Sequence, residues 1–166
     1  MDEAQRLVDL IPRLRRYARA LTGERAAADD LVQDTLERAW TKLHLYRRGT
    51  DLRAWLFTVM HNVHVNKLRA TRPTDPLDDA MPELAQRAPQ ADALLLRDLD
   101  RAIARLPADQ RAVLLLVSLE DMSYEEVART LGIPIGTVMS RLSRAREKLR
   151  VLMLGQPPAA KLKVVK

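Results

Sequence analysis

Apolar positions recur every three or four residues along most of this chain. From Leu7 they run through Leu10, Ile11, Leu14, Tyr17, Ala18 and Leu21, the stripe of one amphipathic helix that Thr22-Gly23 brings to a stop. A second helix, from about Ala27 to Leu43, puts Leu31, Thr35, Ala39 and Leu43 on one stripe with Val32, Leu36 and Trp40 beside it. Asp30, Gln33, Asp34 and Glu37 remain outside. YRRGTD, residues 46 to 51, reads as a turn, and Asp51 is placed to cap a third helix, LRAWLFTVMHNVHVNKLRA. There Leu52, Leu56, Val59, Val63 and Leu68 face inward, while Trp55, His61, Asn62, Asn66, Lys67 and Arg69 spread over the rest.

The periodicity then breaks. ATRPTDPLDDAMPELAQRAP, residues 70 to 89, contains Pro73, Pro76, Pro82 and Pro89, each of which blocks helix continuation and biases the preceding residue toward extended conformations. This reads as a flexible linker over 70–91 between helical segments. Past it, Leu95, Leu99, Ala102, Ile103 and Leu106 form an apolar stripe that Pro107 ends, and the strongly apolar run from Val113 to Leu119 predicts the buried centre of a small bundle. After Leu154 comes GQPPAAKLKVVK, a Gly-Gln-Pro-Pro stop and a tail, 155–166, expected to be disordered.

The densest local signal lies between these. Ser123-Tyr-Glu-Glu126 matches a capping box, in which the hydroxyl accepts from the third helical amide and Glu126 reaches back. Val127, Ala128 and Leu131 face inward, Gly132 ends the helix, and Pro134 starts another with its preset φ. Two helices abutting at a Gly-containing break form a helix-turn-helix. In the second, Val138, Leu142, Ala145 and Leu149 line the inside, which leaves Gly136, Thr137, Met139, Ser140, Ser143, Arg144, Glu147 and Lys148 outward with Arg141, Arg146 and Arg150 on the flanks. Small residues near its start let backbone approach phosphates at the positive end of the helix dipole, and arginine further along can read guanine.

Composition narrows the fold and the class of partner. Six aromatic residues in 166 and few β-branched runs, against abundant Ala, Leu and Arg, make this an all-α chain: two small helical domains on a tether. Cysteine is absent, so neither a disulfide framework nor a thiolate metal site exists. The start MDEAQRLVDL lacks the charged and apolar regions of an export signal, and nowhere do about 18 apolar residues run together, so a cytoplasmic protein without membrane insertion is expected. Net charge is +6, concentrated in two blocks: residues 1–69 hold 13 Lys/Arg against 9 Asp/Glu, residues 92–166 the same, and residues 70–91 hold 2 against 4. Basic blocks around an acidic join suit an anionic partner such as nucleic acid.

Catalytic chemistry has little to stand on. His61 and His64 sit three apart, but no third ligand stands at metal-site spacing, so no metal and no cofactor is expected. The acids Asp29, Asp30, Asp34 and Glu37 form the outer face of a helix, a solvated or partner-binding surface rather than an acid/base pair. Tyr46, Trp55 and Phe57 near Arg47, Arg48 and Arg53 offer flat rings among cations, which an unstacked base needs, although Trp55 and Phe57, each taken alone, fit a core equally well. The chain is not expected to be an enzyme.

DDLVQDTLERAW, DLRAWLFTVMHN and LPADQRAVLLLVSLEDMSYEEVARTLGIPIGTVMSRLSRAREKL, in that order and spacing, resemble the extracytoplasmic-function (ECF, group IV) sigma factors of bacterial RNA polymerase. The resemblance covers nearly the whole chain. It implies a region 2 over 1–69 that binds the polymerase clamp and opens the minus-10 element. A region 4 over 92–154 would hold the minus-35 element against the flap. By the same likeness Asp30, Gln33, Asp34 and Arg38 face polymerase. Tyr46, Arg47, Arg48, Gly49, Thr50 and Asp51 form the loop that pockets a flipped minus-10 base, with Trp55 and Asn62 on the helix beside it. Met139, Ser140, Ser143 and Arg144 face minus-35 bases, and Thr137, Arg141 and Arg146 contact phosphates. The partners so implied are the core polymerase, promoter DNA in duplex and single-stranded form, and an anti-sigma factor. His61 and Met139 stand where the family often carries a basic residue, and no receiver domain of the phosphorylation-controlled sigma mimics is expected. A competing reading, a dimeric helix-turn-helix repressor or activator acting without polymerase, leaves the first block unexplained.

Overall fold

The computed structural model describes residues 2–70 and 91–154, and every regular element in them is helical. The order is α1 (Glu3–Asp9), α2 (Ile11–Thr22), α3 (Arg25–Thr41), a 3-10 turn (Leu43–Leu45), α4 (Leu52–Ala70), α5 (Ala91–Ala104), α6 (Ala108–Ser118), α7 (Tyr124–Leu131) and α8 (Ile135–Leu154). The 70–91 linker lies outside the described residues except at its ends, Ala70 and Ala91, which are helical; the 155–166 tail lies wholly outside.

The single first helix expected from the Leu7–Leu21 stripe is two. Asp2 caps α1, its carboxylate accepting from the Gln5 amide at 3.0 Å, and the chain breaks at Leu10 because Pro12 brings no N–H and its ring would strike the carbonyl four residues back. At the far end of α2, Gly23 takes φ 76°, the left-handed cap that closes a helix without a Cβ penalty.

Two sets of helices share one apolar interior. Leu14, Tyr17, Leu21, Leu31, Leu56, Phe57 and Met60 fill the space between α2, α3 and α4, while Val113 to Leu116, Val127, Val138 and Leu142 fill that between α6, α7 and α8. Each large aliphatic chain taken fully out of water contributes about 1.5–3 kcal/mol. The two sets do not stand apart: α2 packs on α5 and α6, and α4 packs on α7, so their buried residues form one continuous cluster.

Three side chains expected inside are out. Trp40 is 61% exposed, Leu68 43% and Leu95 58%. Trp40 and Leu68 sit in the last turn of their helices, and Leu95 lies near the start of α5. Periodicity assigns a face but not its coverage.

Candidate nucleic-acid interface

Residues 123–146 make a capped helical pair. Ser123 Oγ accepts from the Glu126 amide at 3.1 Å and Glu126 Oε1 accepts from the Ser123 amide at 2.9 Å, so both halves of the capping box are present. Gly132 turns the chain at φ 69°, and its amide reaches back to the Ala128 carbonyl at 2.8 Å. Pro134 follows, its carbonyl accepting from Thr137 and Val138, and α8 rises with Val138, Leu142 and Ala145 buried against α6 and α7.

What α8 shows outward is polar and basic. Ser140, Ser143, Arg144 and Arg146 are exposed, as is Met139 at 51%; Thr137 is half-buried. Met139, Ser143, Arg146 and Arg150 line a shallow open groove of ≈ 420 Å³ against Tyr124 of α7. Within it Glu147 pairs with Arg150 at 2.8 Å, which trims the positive field at the far end of the helix. Arg141 points elsewhere: it is half-buried, 3.6 Å from Asp109 of α6, and near enough to His61 of α4 to disfavour that ring's protonation. The residues expected to meet the minus-35 element thus share one helix but not one face.

The 46–51 loop is a built turn. Tyr46 is buried, its hydroxyl donates to the Thr50 carbonyl, and Thr50 in turn donates its hydroxyl to the Arg47 carbonyl at 2.8 Å. Gly49 takes φ 92°, which a residue with a Cβ rarely adopts. Asp51 caps α4, accepting from the Ala54 amide at 3.3 Å. Arg47 is exposed, and Arg48 reaches Glu3 of α1 at 3.3 Å, so the first helix leans over a ≈ 480 Å³ recess that Leu43, His44 and Tyr46 also line. The three rings separate in role. Phe57 is core, edge-on to Tyr17 at 5.1 Å; Tyr46 holds the loop; Trp55 is half-buried, tilted on Tyr46 at 5.5 Å. Trp55 and Asn62, seven residues apart, lie on one face of α4, about 10 Å along its axis, with Asn62 exposed.

The acidic face of α3 is present, and it is tied. Asp30, Gln33 and Arg38 are exposed and Asp34 is half-buried, but Lys67 Nζ lies 2.7 Å from Asp30 and 2.6 Å from Asp34. Hydrogen bonds to the two carboxylates raise the Lys67 pKa above its ordinary value. Lys67 carries no sequence signal for this, since its partners are more than thirty residues away. Trp40, assigned to the core by spacing, instead extends the outer face on which Gln33 and Glu37 lie.

Protonation is disfavoured at both candidate histidines. Burial lowers the His61 pKa, and Arg141 adds to it; burial, then His61, then Arg111 lower that of His64 to about 4. Among the described residues no group of three or more His, Asp, Glu or Cys side chains is placed to hold a metal, and no helix is long and apolar enough to cross a membrane.

Comparison with known proteins matches each half separately. Residues 7–61 fit the family model described as the sigma2 domain of PhyR, and residues 96–149 fit that of sigma-70 region 4. Over 145 residues the chain is 37% identical to the ECF RNA polymerase sigma factor EcfG of Rhodopseudomonas palustris, covering 86% of this chain and 80% of that one. Among solved structures it is similar to the sigma factor RpoE of Bartonella quintana, in complex with the anti-sigma factor NepR, at 35% identity and TM-score 0.74, covering 90% of this chain and 95% of that one. It is also similar to CnrH in complex with the cytosolic domain of CnrY, at 27% identity and TM-score 0.68, covering 93% and 88%.

Proposed function

Because this chain belongs to the ECF RNA polymerase sigma factors, we propose that it binds the bacterial core enzyme and directs it to promoters carrying a minus-35 and a minus-10 element. The observation that carries this reading is the capped α7–α8 pair with a polar, basic outer face, standing in one chain with a second helical set that matches a sigma2 domain. A dimeric repressor would use the first feature and leave the second idle.

The residue roles proposed are those the family likeness implies, and exposure supports several of them. Ser140, Ser143 and Arg144, with Met139 beside them, are exposed where α8 would lie in the major groove, and Thr137 and Arg146 would meet phosphates, whereas Arg141, turned toward Asp109, would have to leave that pairing to do so. Trp55 and Asn62 would meet the minus-10 strand beside the 46–51 loop. Trp55 is the ring available for stacking, Tyr46 being committed to the loop it braces. Capturing an unstacked base would offset the few kcal/mol of its unpairing, so strand opening needs no nucleotide hydrolysis by this chain. Asp30, Gln33, Asp34 and Arg38 would face the polymerase clamp, and the α6–α8 set the flap. Neither half needs high affinity alone, since both held on polymerase act at high effective concentration.

By likeness to RpoE, solved with NepR, an anti-sigma factor is the proposed inhibitor and the cytoplasm the proposed compartment. Run-off transcription with purified core enzyme on a genomic fragment library tests the reading. Discrete, chain-dependent start sites are expected; failure of the purified chain to associate with core polymerase refutes it.

A further inference from the structure

We infer that Glu120 and the guanidinium groups of Arg13, Arg16 and Arg53 form an ionic clasp that closes the two halves of this chain on each other without any partner, and that its release precedes promoter engagement. The second clause rests on the function proposed above; the first does not.

Glu120 is the only fully buried acid among the described residues, and it lies at an unfavourable place for one, just past the C-terminal end of α6 where carbonyls already concentrate negative charge. Its carboxylate sits 3.2 Å from Arg13 and 3.6 Å from Arg16, both on α2, and 3.6 Å from Arg53 on α4. Arg16 and Arg53 also donate to the Leu119 and Glu120 carbonyls, so the cations of one half serve the helix end of the other. Asp121, at φ 51° in the left-handed region, turns the chain immediately after Glu120. The exchange is reciprocal. Arg111 of α6 donates to the Leu21 carbonyl at the end of α2 at 2.6 Å, while also holding the Ile103, Ala104 and Leu106 carbonyls at the end of α5.

Such a contact is suited to release. Although three cations surround it, neither Glu120 oxygen receives a well-aligned hydrogen bond, so the carboxylate is desolvated without full repayment. Arg13 and Arg16 are about half exposed, which leaves their side of the contact open to salt and to competing anions.

Closure also conflicts with promoter spacing. Helices α4 and α7 are in contact, as are α7 and α8, and packed helices stand about 8–10 Å apart. Minus-10 and minus-35 elements are separated by about 25 base pairs, roughly 85 Å at about 3.4 Å per pair. A chain that reads both at once has parted α4 from α7. If the open form is a minor population, its apparent affinity for polymerase falls by that fraction.

The absence of cysteine makes the test direct. Arg25→Cys and Arg129→Cys, at exposed positions on α3 and α7, carry a donor and an acceptor dye in the full chain, and energy transfer reports their separation without DNA or polymerase. Glu120→Gln, and separately Arg13→Gln, Arg16→Gln and Arg53→Gln together, are expected to lengthen it with helix content unchanged by circular dichroism. If Glu120→Gln loses helix content, the arginine variant decides. Unchanged transfer in a folded variant overturns the clasp. Glu120→Gln is further expected to bind core polymerase several-fold more tightly; a lengthened separation with unaltered affinity overturns the link to promoter engagement. Separation that lengthens while no chain binds polymerase leaves the clasp standing and refutes the proposed function instead.

Discussion

Arg144 and Arg146 stand two positions apart on α8, and both are exposed, yet about 200° of helical rotation separates them. In the proposed docking one arginine would face the groove floor and the other its wall. Arg144→Ala is expected to cost about 1–3 kcal/mol at one promoter position, whereas Arg146→Ala weakens binding evenly and lowers the salt slope by about 1. Titrations over single-base promoter variants at several salt concentrations separate the two. A different residue reports on packing. His64, its pKa lowered to about 4 by burial, His61 and Arg111, takes up protons more readily unfolded than folded. Its contribution is therefore present above pH 6.5 and is lost as pH falls toward 4. Urea midpoints should drop over that window more steeply in the parent chain than in His64→Gln. At this scale the sequence was informative about identity and misleading about exposure. Trp55 and Phe57 looked equally suited to a core, and the separation of the three rings into a loop brace, a half-buried neighbour and a core residue depends on Thr50 and Tyr17, neither of which spacing alone could single out.

Whole elements were more legible, because their boundaries rest on local chemistry. The Ser123–Glu126 capping box, the left-handed Gly132 and Pro134 act within a few residues of themselves, and α7 begins and ends, and α8 begins, where those residues require. Ser123→Ala should destabilise the α5–α8 set by about 0.5–2 kcal/mol, read as a lower urea midpoint with an unchanged slope. The first helix shows the limit: the apolar stripe runs unbroken across Leu10, but Pro12 removes a donor and divides it. Hydrophobic period records which residues a core wants, and backbone chemistry decides whether one helix can present them all.

At the scale of the molecule, two helical sets became one packed body through arginines that serve helix ends across the divide. Arg111 is the hub, with donors to four carbonyls from α2 and the α5 end. Arg111→Met should cost about 3 kcal/mol, since hydrogen bonds to charged groups contribute about 1.5–3 kcal/mol each and do not sum. It should also split a single calorimetric transition into two. The sequence by itself determined the helical class, the two basic blocks and the helix-turn-helix, all set by periodicity, charge and capping within short stretches of chain. Only the tertiary structure decided that Lys67 spans Asp30 and Asp34, that Trp40 lies outside, and that Glu120 is buried among three arginines. Those outcomes depend on side chains far apart in the chain, and no local pattern records which distant helix end a guanidinium will meet.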